Sequence, residues 1–143
     1  LEAQVSESCC LSQLSHIKWV WPVVDEGGVE LEFFQVPPHL QIPWKKNRLG
    51  VLEPQFTLQQ KSECKVDISD LSGVLVPGLM FDRSGGRLGR GKAFYDRALQ
   101  DYEGIKVGLL WREQLSRDLL DLEAHDIRMN FLVYPDEIIN CPS

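Results

Sequence analysis

Three apolar runs in the second half of the chain constrain its fold more than any other feature: LSGVLVPGLMF at 71–81, IKVGLLW at 105–111 and MNFLVYP at 129–135. The first is as continuous as a strand covered on both faces would be, the second reads as another buried strand, and the third as a last strand. Two segments with helical patterning separate them. In GKAFYDRALQDY, at 91–102, Phe94 and Ala98 sit four apart, as do Tyr95 and Leu99, and Gly104 follows as a stop. REQLSRDLLDL, at 112–122, is the second helix candidate. Strand, helix, strand, helix, strand predicts a right-handed α/β unit on a parallel sheet.

The first half is less regular. EAQVSESCCLSQLS, at 2–15, has loosely helical spacing and predicts a helix. IKWVWPVV is β-branched and aromatic, DEGG at 25–28 is a turn, and VELEFFQV at 29–36 alternates, so the three together predict a hairpin. PPHLQIPWKKN is loop-like with its three prolines, RLGVLEPQ at 48–55 is a short apolar piece, and 56–67 reads as a polar loop with room for one helical turn.

The 143 residues suffice for one domain with a core, expected to span 1–143. A net charge of −6 argues against a nucleic-acid binder, which needs a basic surface. No apolar run reaches the length of about 18 residues that a membrane span needs. The first ten residues carry two glutamates and no basic region, so no secretory leader is expected. Cys9, Cys10, Cys64 and Cys141 form no CxxC pair and no zinc-like cluster. Reduced thiols in the cytoplasm are the expectation, with an organellar form left open.

Against this acidic background, DRSGGRLGRGKAFYD at 82–96 is locally basic. Between 82 and 97, Arg83, Arg87, Arg90, Lys92 and Arg97 face Asp82 and Asp96, a local charge of +3. The stretch follows a predicted strand and runs into a predicted helix. Its glycines allow positive φ and close backbone approach, and a helix start presents free N–H groups to an anion. Gly86 to Lys92 matches the spacing GxxxxGK, but Ala93 stands where a P-loop has the Ser or Thr that holds Mg²⁺. The stretch therefore reads as a phosphate site that is not a standard P-loop, with Asp96 as the nearest metal candidate. The competing reading is a solvated glycine turn before a helix.

VPGLMFDRSGGRLGRGKAFYDRAL, at 76–99, resembles the signature of the 5-formyltetrahydrofolate cyclo-ligase (methenyltetrahydrofolate synthetase) family. LGVLEP at 49–54, WREQL at 111–115 and EAHDIRMNFLVYPDE at 123–137 resemble further segments of that family in the same order, so the likeness covers roughly 17–137. The resemblance implies a three-layer Rossmann-like α/β fold, with a mixed, mostly parallel sheet flanked by helices. It implies ATP- and Mg²⁺-dependent closure of 5-formyltetrahydrofolate to 5,10-methenyltetrahydrofolate with release of ADP and phosphate. The formyl oxygen attacks the γ-phosphorus, N10 closes the ring, and phosphate leaves. Such a reaction needs positive charge spread over the phosphoryl group and an aligned nucleophile.

The resemblance assigns Arg90 and Lys92 as catalytic residues, and Arg87, Leu88, Gly89, Arg90, Gly91, Lys92, Ala93, Phe94 and Tyr95 to ATP. Glu53, Phe94 and Tyr95 fall to the reduced folate, and Asp96 and Asp126 to Mg²⁺. Some have a plainer alternative. Glu53 reads more readily as a solvated loop carboxylate, one of Phe94 and Tyr95 as core, and His125 equally as a ligand contact or as a surface or capping residue. Gln114 lies on the motif without an evident role. The chain departs from the family pattern at Ala93 (a glycine there), Phe94 (a tyrosine) and Asn130 (often an aspartate). The family's opening basic helix and Glu-bearing first strand find no match, so the chain is expected to be N-terminally truncated. Those departures keep a second expectation open, a non-catalytic relative that binds nucleotide or a protein partner.

Overall fold

A computed structural model describes residues 16–48, 50–123 and 125–142, so the helix expected at 2–15, with Cys9 and Cys10, lies outside the described residues. The chain divides into two compact units, Leu1–Val23 with Phe33–Val66, and Val24–Glu32 with Asp67–Ser143. The architecture is mixed α/β, rich in short strands and with few, short helices. No helix among the described residues is long and apolar enough to cross a membrane.

The first unit follows β1 (Val20–Val24), β2 (Leu31–Gln35), β3 (Trp44–Lys46), β4 (Leu52–Pro54), α1 (Leu58–Cys64) and β5 (Lys65–Val66). β1, β2 and β5 form one sheet in that order, with Phe33 opposite Val66 and Phe34 opposite Lys65. The expected hairpin is therefore present. Its turn, which belongs to the second unit, is organised by Asp25, whose carboxylate accepts from the backbone N–H groups of Val29 and Glu30, each at 2.7 Å. Val23, Phe34 and Cys64 make a small core, against which Leu40 and Phe56 pack, and the Phe34 and Phe56 rings stack at 4.7 Å. α1 starts at a reciprocal cap. Thr57 Oγ1 accepts from Gln60 N, and Gln60 Oε1 accepts from Thr57 N. β3 and β4 form a second hairpin, closed by Asn47.

The second unit carries β6 (Gly73–Pro77), β7 (Met80–Phe81), β8 (Arg87–Leu88), α2 (Phe94–Ala98), β9 (Ile105–Leu109), β10 (Phe131–Tyr134) and β11 (Glu137–Asn140). The main sheet has the order β11-β10-β9-β6. β9 is parallel to both of its neighbours, and β11 runs antiparallel at the edge. The three apolar runs thus become the parallel strands expected of them. Val76, Gly108, Leu132 and Ile139 line up across the sheet and are buried with Phe81, Leu99, Tyr102 and Leu110 in the larger core.

Three expectations are corrected. The helix read at 91–102 is reduced to Phe94–Ala98, and 112–122 holds one 3₁₀ turn at Arg112–Gln114. The sheet is also not covered on both faces among the described residues, since Leu75, Ile105, Leu109 and Ile138 are exposed.

Candidate functional site

The glycine stretch opens just past β6 and β7, beyond the C-terminal end of a parallel strand, where open α/β sheets place their ligand crevices. Its first half is knotted onto Asp82, which is almost wholly buried. One carboxylate oxygen of Asp82 accepts from Ser84 N at 2.8 Å, Ser84 Oγ at 2.6 Å and Gly86 N at 3.1 Å, and the other accepts from Leu120 N at 2.8 Å. Burial pushes the Asp82 carboxyl up, but the bonds from Ser84, Leu120 and Gly86 outweigh it and hold the group below its ordinary value. Gly85 has φ +85, and a Cβ there would run into the Met129 backbone, which donates its N–H to Gly85 O at 2.8 Å. Arg128 Nη1 adds a bond to Ser84 Oγ at 2.7 Å.

The structure places Arg87 away from solvent, although the sequence puts it in a phosphate loop. Its Nη2 donates to both oxygens of Asp96, at 2.8 and 2.7 Å, with both side chains nearly inaccessible. Its Nη1 reaches Pro77 O at 3.4 Å, and its guanidinium lies 5.9 Å from the Tyr95 ring centre. Asp96 Oδ1 also accepts from Ile127 N at 3.4 Å. Arg83 lies 3.9 Å from Glu137, and Arg97 donates to Val29 O. Arg90 and Lys92 are exposed and make no ion pair or side-chain hydrogen bond with the described residues. Gly91, between them, has φ +74 and open space where a Cβ would stand. Leu88 is exposed and Gly89 half-buried.

Ala93 precedes α2 in the left-handed region, at φ 50 and ψ 26, the single non-glycine residue of positive φ among the described residues. Of the aromatic pair that follows, Tyr95 packs against the core and burial raises its hydroxyl pKa, which the Arg87 charge partly offsets. Phe94 stays half-exposed, its ring 5.7 Å from the Arg97 guanidinium.

The two expected metal carboxylates are not gathered. Asp96 is engaged by Arg87, while Asp126 Oδ2 caps the 123–126 turn by accepting from Glu123 N at 2.7 Å. Among the described residues no three His, Cys, Asp or Glu side chains come together as a metal site. His125 is exposed beside Glu123. In the first unit, Glu53 is a buried β4 residue, not a solvated one, and accepts from Asn47 Nδ2 at 2.7 Å.

Gln114 acquires a role that its position on the motif did not reveal. Its Nε2 donates to Gly78 O at 2.8 Å and Leu79 O at 3.3 Å, and its Oε1 accepts from Trp111 N at 2.8 Å. It holds the turn that leads from β6 to β7. No local sequence signal announces such a bond, because its two ends lie some 36 residues apart.

The model of the 5-formyltetrahydrofolate cyclo-ligase family matches residues 15–135. A 5-formyltetrahydrofolate cyclo-ligase of Mycolicibacterium smegmatis is 35% identical over 101 residues, 67% of this chain and 52% of that protein. That of Escherichia coli K12 is 33% identical over 103 residues, 70% and 54% of the two chains. The solved 5,10-methenyltetrahydrofolate synthetase of Aquifex aeolicus is similar at a TM-score of 0.69 and 28% identity, covering 93% of this chain and 63% of that one. The chain spans about half the length of the curated relatives it matches.

Proposed function

We propose that this chain, which belongs to the 5-formyltetrahydrofolate cyclo-ligase family, catalyses the ATP-driven closure of 5-formyltetrahydrofolate to 5,10-methenyltetrahydrofolate. One observation carries the reading: Arg90 and Lys92, exposed and unpaired among the described residues, flank the open backbone of Gly91 on a loop whose Asp82, Ser84 and Arg87 side chains are held by hydrogen bonds. Two cations beside an open stretch of backbone at one place suit a triphosphate. As the formyl oxygen takes the γ-phosphoryl group, Arg90 and Lys92 would balance the charge that builds on its oxygens. The bond to ADP breaks, N10 attacks the activated formyl carbon and gives up its proton, and phosphate departs with the former formyl oxygen.

Leu88, Gly89, Ala93, Phe94 and Tyr95 complete the proposed nucleotide segment, with Phe94, Tyr95 and Glu53 assigned to the folate. Arg87 is moved behind the contact surface by its burial. Mg²⁺ belongs to the proposal as a companion of the triphosphate. Asp96 and Asp126 do not form a set that would hold it, so no step is drawn through it. A Rossmann-like single domain over 1–143 is part of the same proposal, without the third layer, since one face of the sheet is exposed among the described residues. Its support is the parallel β6, β9 and β10 strands and a family match that runs through both units. The cytoplasm remains the proposed compartment, and among the described residues Cys64 and Cys141 are buried free thiols.

A second reading, nucleotide binding without turnover, is favoured by Ala93 and Phe94, which put a strained turn and a ring without hydroxyl beside the loop. Incubation with 5-formyltetrahydrofolate and MgATP separates the two. Growth of the methenyl absorbance is expected, in step with phosphate release. ATP binding with no methenyl product would replace the enzyme by the binding protein.

A further inference from the structure

We propose that Arg87 and Asp96 form a buried strut that sets the shape of the loop between them, Arg87 being a positioning residue for nucleotide and not a phosphate ligand. The inference rests on the reading of this loop as the nucleotide site. Arg87 lies on β8 where the loop begins, and Asp96 on α2 where it ends. Both Asp96 oxygens are engaged by the one guanidinium nitrogen, at 2.8 and 2.7 Å, and a carboxylate–guanidinium contact this close fixes distance and charge together. Pro77 O at 3.4 Å ties the strut to the end of β6, and Ile127 N at 3.4 Å ties it to the segment before β10. Four stretches of chain therefore meet at one ion pair.

The loop is shaped around the strut. A Cβ on Gly89 would stand 2.8 Å from Arg87 Nη1. That glycine makes room for the guanidinium, whatever else it does for a ligand. Arg87 Nε is buried with no hydrogen-bond partner among the described residues, so the hydrogen bonds of the head go to Asp96 and Pro77. Charge accounting agrees with the geometry. The Arg87–Asp96 pair is internally neutral, which leaves Arg90 and Lys92 as the cations the loop offers to an anion.

A double-mutant cycle tests this, with the affinity of the full chain for ATP measured by calorimetry in EDTA. Without metal, any part of Asp96 in holding a cation drops out of the readout. Arg87→Lys and Asp96→Asn should each weaken ATP binding roughly tenfold, and the double variant should be no weaker than either single one. A direct phosphate ligand behaves otherwise. Asp96→Asn would then release Arg87 toward the phosphates and leave ATP binding unchanged or tighter, and that result overturns the strut. Additive losses in the double variant overturn it as well. Gly89→Ala carries the test if a charge variant does not fold. It should weaken ATP binding in the unaltered background and have no further effect beside Arg87→Lys; unchanged affinity in the unaltered background counts against the proposal. If the unaltered chain itself binds no ATP, the nucleotide reading falls and the strut's role with it. ATP binding that Asp96→Asn does not weaken removes the strut alone.

Discussion

Ala93 takes up a backbone conformation that the residues around it leave to glycine. The left-handed region costs an ordinary residue roughly 1–2 kcal/mol, because its Cβ crowds the carbonyl. Gly85 and Gly91 occupy positive φ in the same loop without that cost, at +85 and +74. Ala93→Gly should therefore relieve the strain. Glycine also gives the unfolded chain more freedom, which takes back about 0.4–1 kcal/mol, so the net gain should be roughly 0.5 kcal/mol. Urea denaturation reads this as a higher midpoint at an unchanged slope. A lower midpoint would mean that Ala93 does not adopt the left-handed turn in solution. The position was visible in the sequence as a departure from the family's glycine. Its strain was not, since φ belongs to the fold.

At the scale of elements, the loop 82–86 is held by one carboxylate, and that predicts a pH signature. Asp82 in the folded chain titrates below its ordinary 3.8. A depressed folded pKa contributes stability that is fully present above the unfolded value and is lost as pH falls through the folded one. Asp82→Asn removes the charge from four hydrogen bonds. It should cost about 1.5–3 kcal/mol at neutral pH, the scale of a hydrogen bond to a charged group. The gap between parent and variant should then close as the pH drops below about 4, followed through urea midpoints. A gap that stays constant with pH would show that the Asp82 charge is not what holds the loop. The same carboxylate explains a misreading. Leu115, Leu119 and Leu122 at 112–122 have helical spacing, yet Leu120 N is taken by Asp82 and Ser116 N by Phe81 O at 2.7 Å. Ser116 Oγ further bonds the backbone of Asp118. Donors that a helix would need go instead to partners elsewhere, and periodicity cannot see partners. The β3–β4 hairpin and β11 were missed for a different reason. Each is short, and its turn signals, Asn47 to Gly50 and Pro135 with Asp136, stand beside little apolar pattern. The T-x-x-Q box at 57–60 was a legible helix start, and α1 begins there.

For the whole molecule, the apolar runs located the parallel strands correctly but did not show which side of the sheet is the core. The observed register settles that. The row Val76, Gly108, Leu132, Ile139 is buried throughout, whereas the next row, Pro77, Leu109, Val133, Ile138, is exposed except for the half-buried Val133. Neighbouring positions of one strand thus differ in kind while the residues look alike. Composition cannot distinguish them, because folded proteins leave much apolar surface in water. Their energetics should differ. Leu132 has no exposed surface and packs in the larger core. Leu132→Ala should therefore cost about 2–5 kcal/mol, the transfer free energy of the lost carbons plus that of the cavity they leave. Leu109 is 53% exposed, so Leu109→Ala should stay within about 1 kcal/mol. Urea midpoints of the two variants against the parent measure the ratio directly. If Leu109→Ala costs as much as Leu132→Ala, the second face is covered in solution by something other than the described residues, and the core of this molecule is two-sided. If only Leu132→Ala is costly, the sheet stands on one core, and the loop that carries Arg90 and Lys92 is anchored to that core through Phe81 and Tyr95.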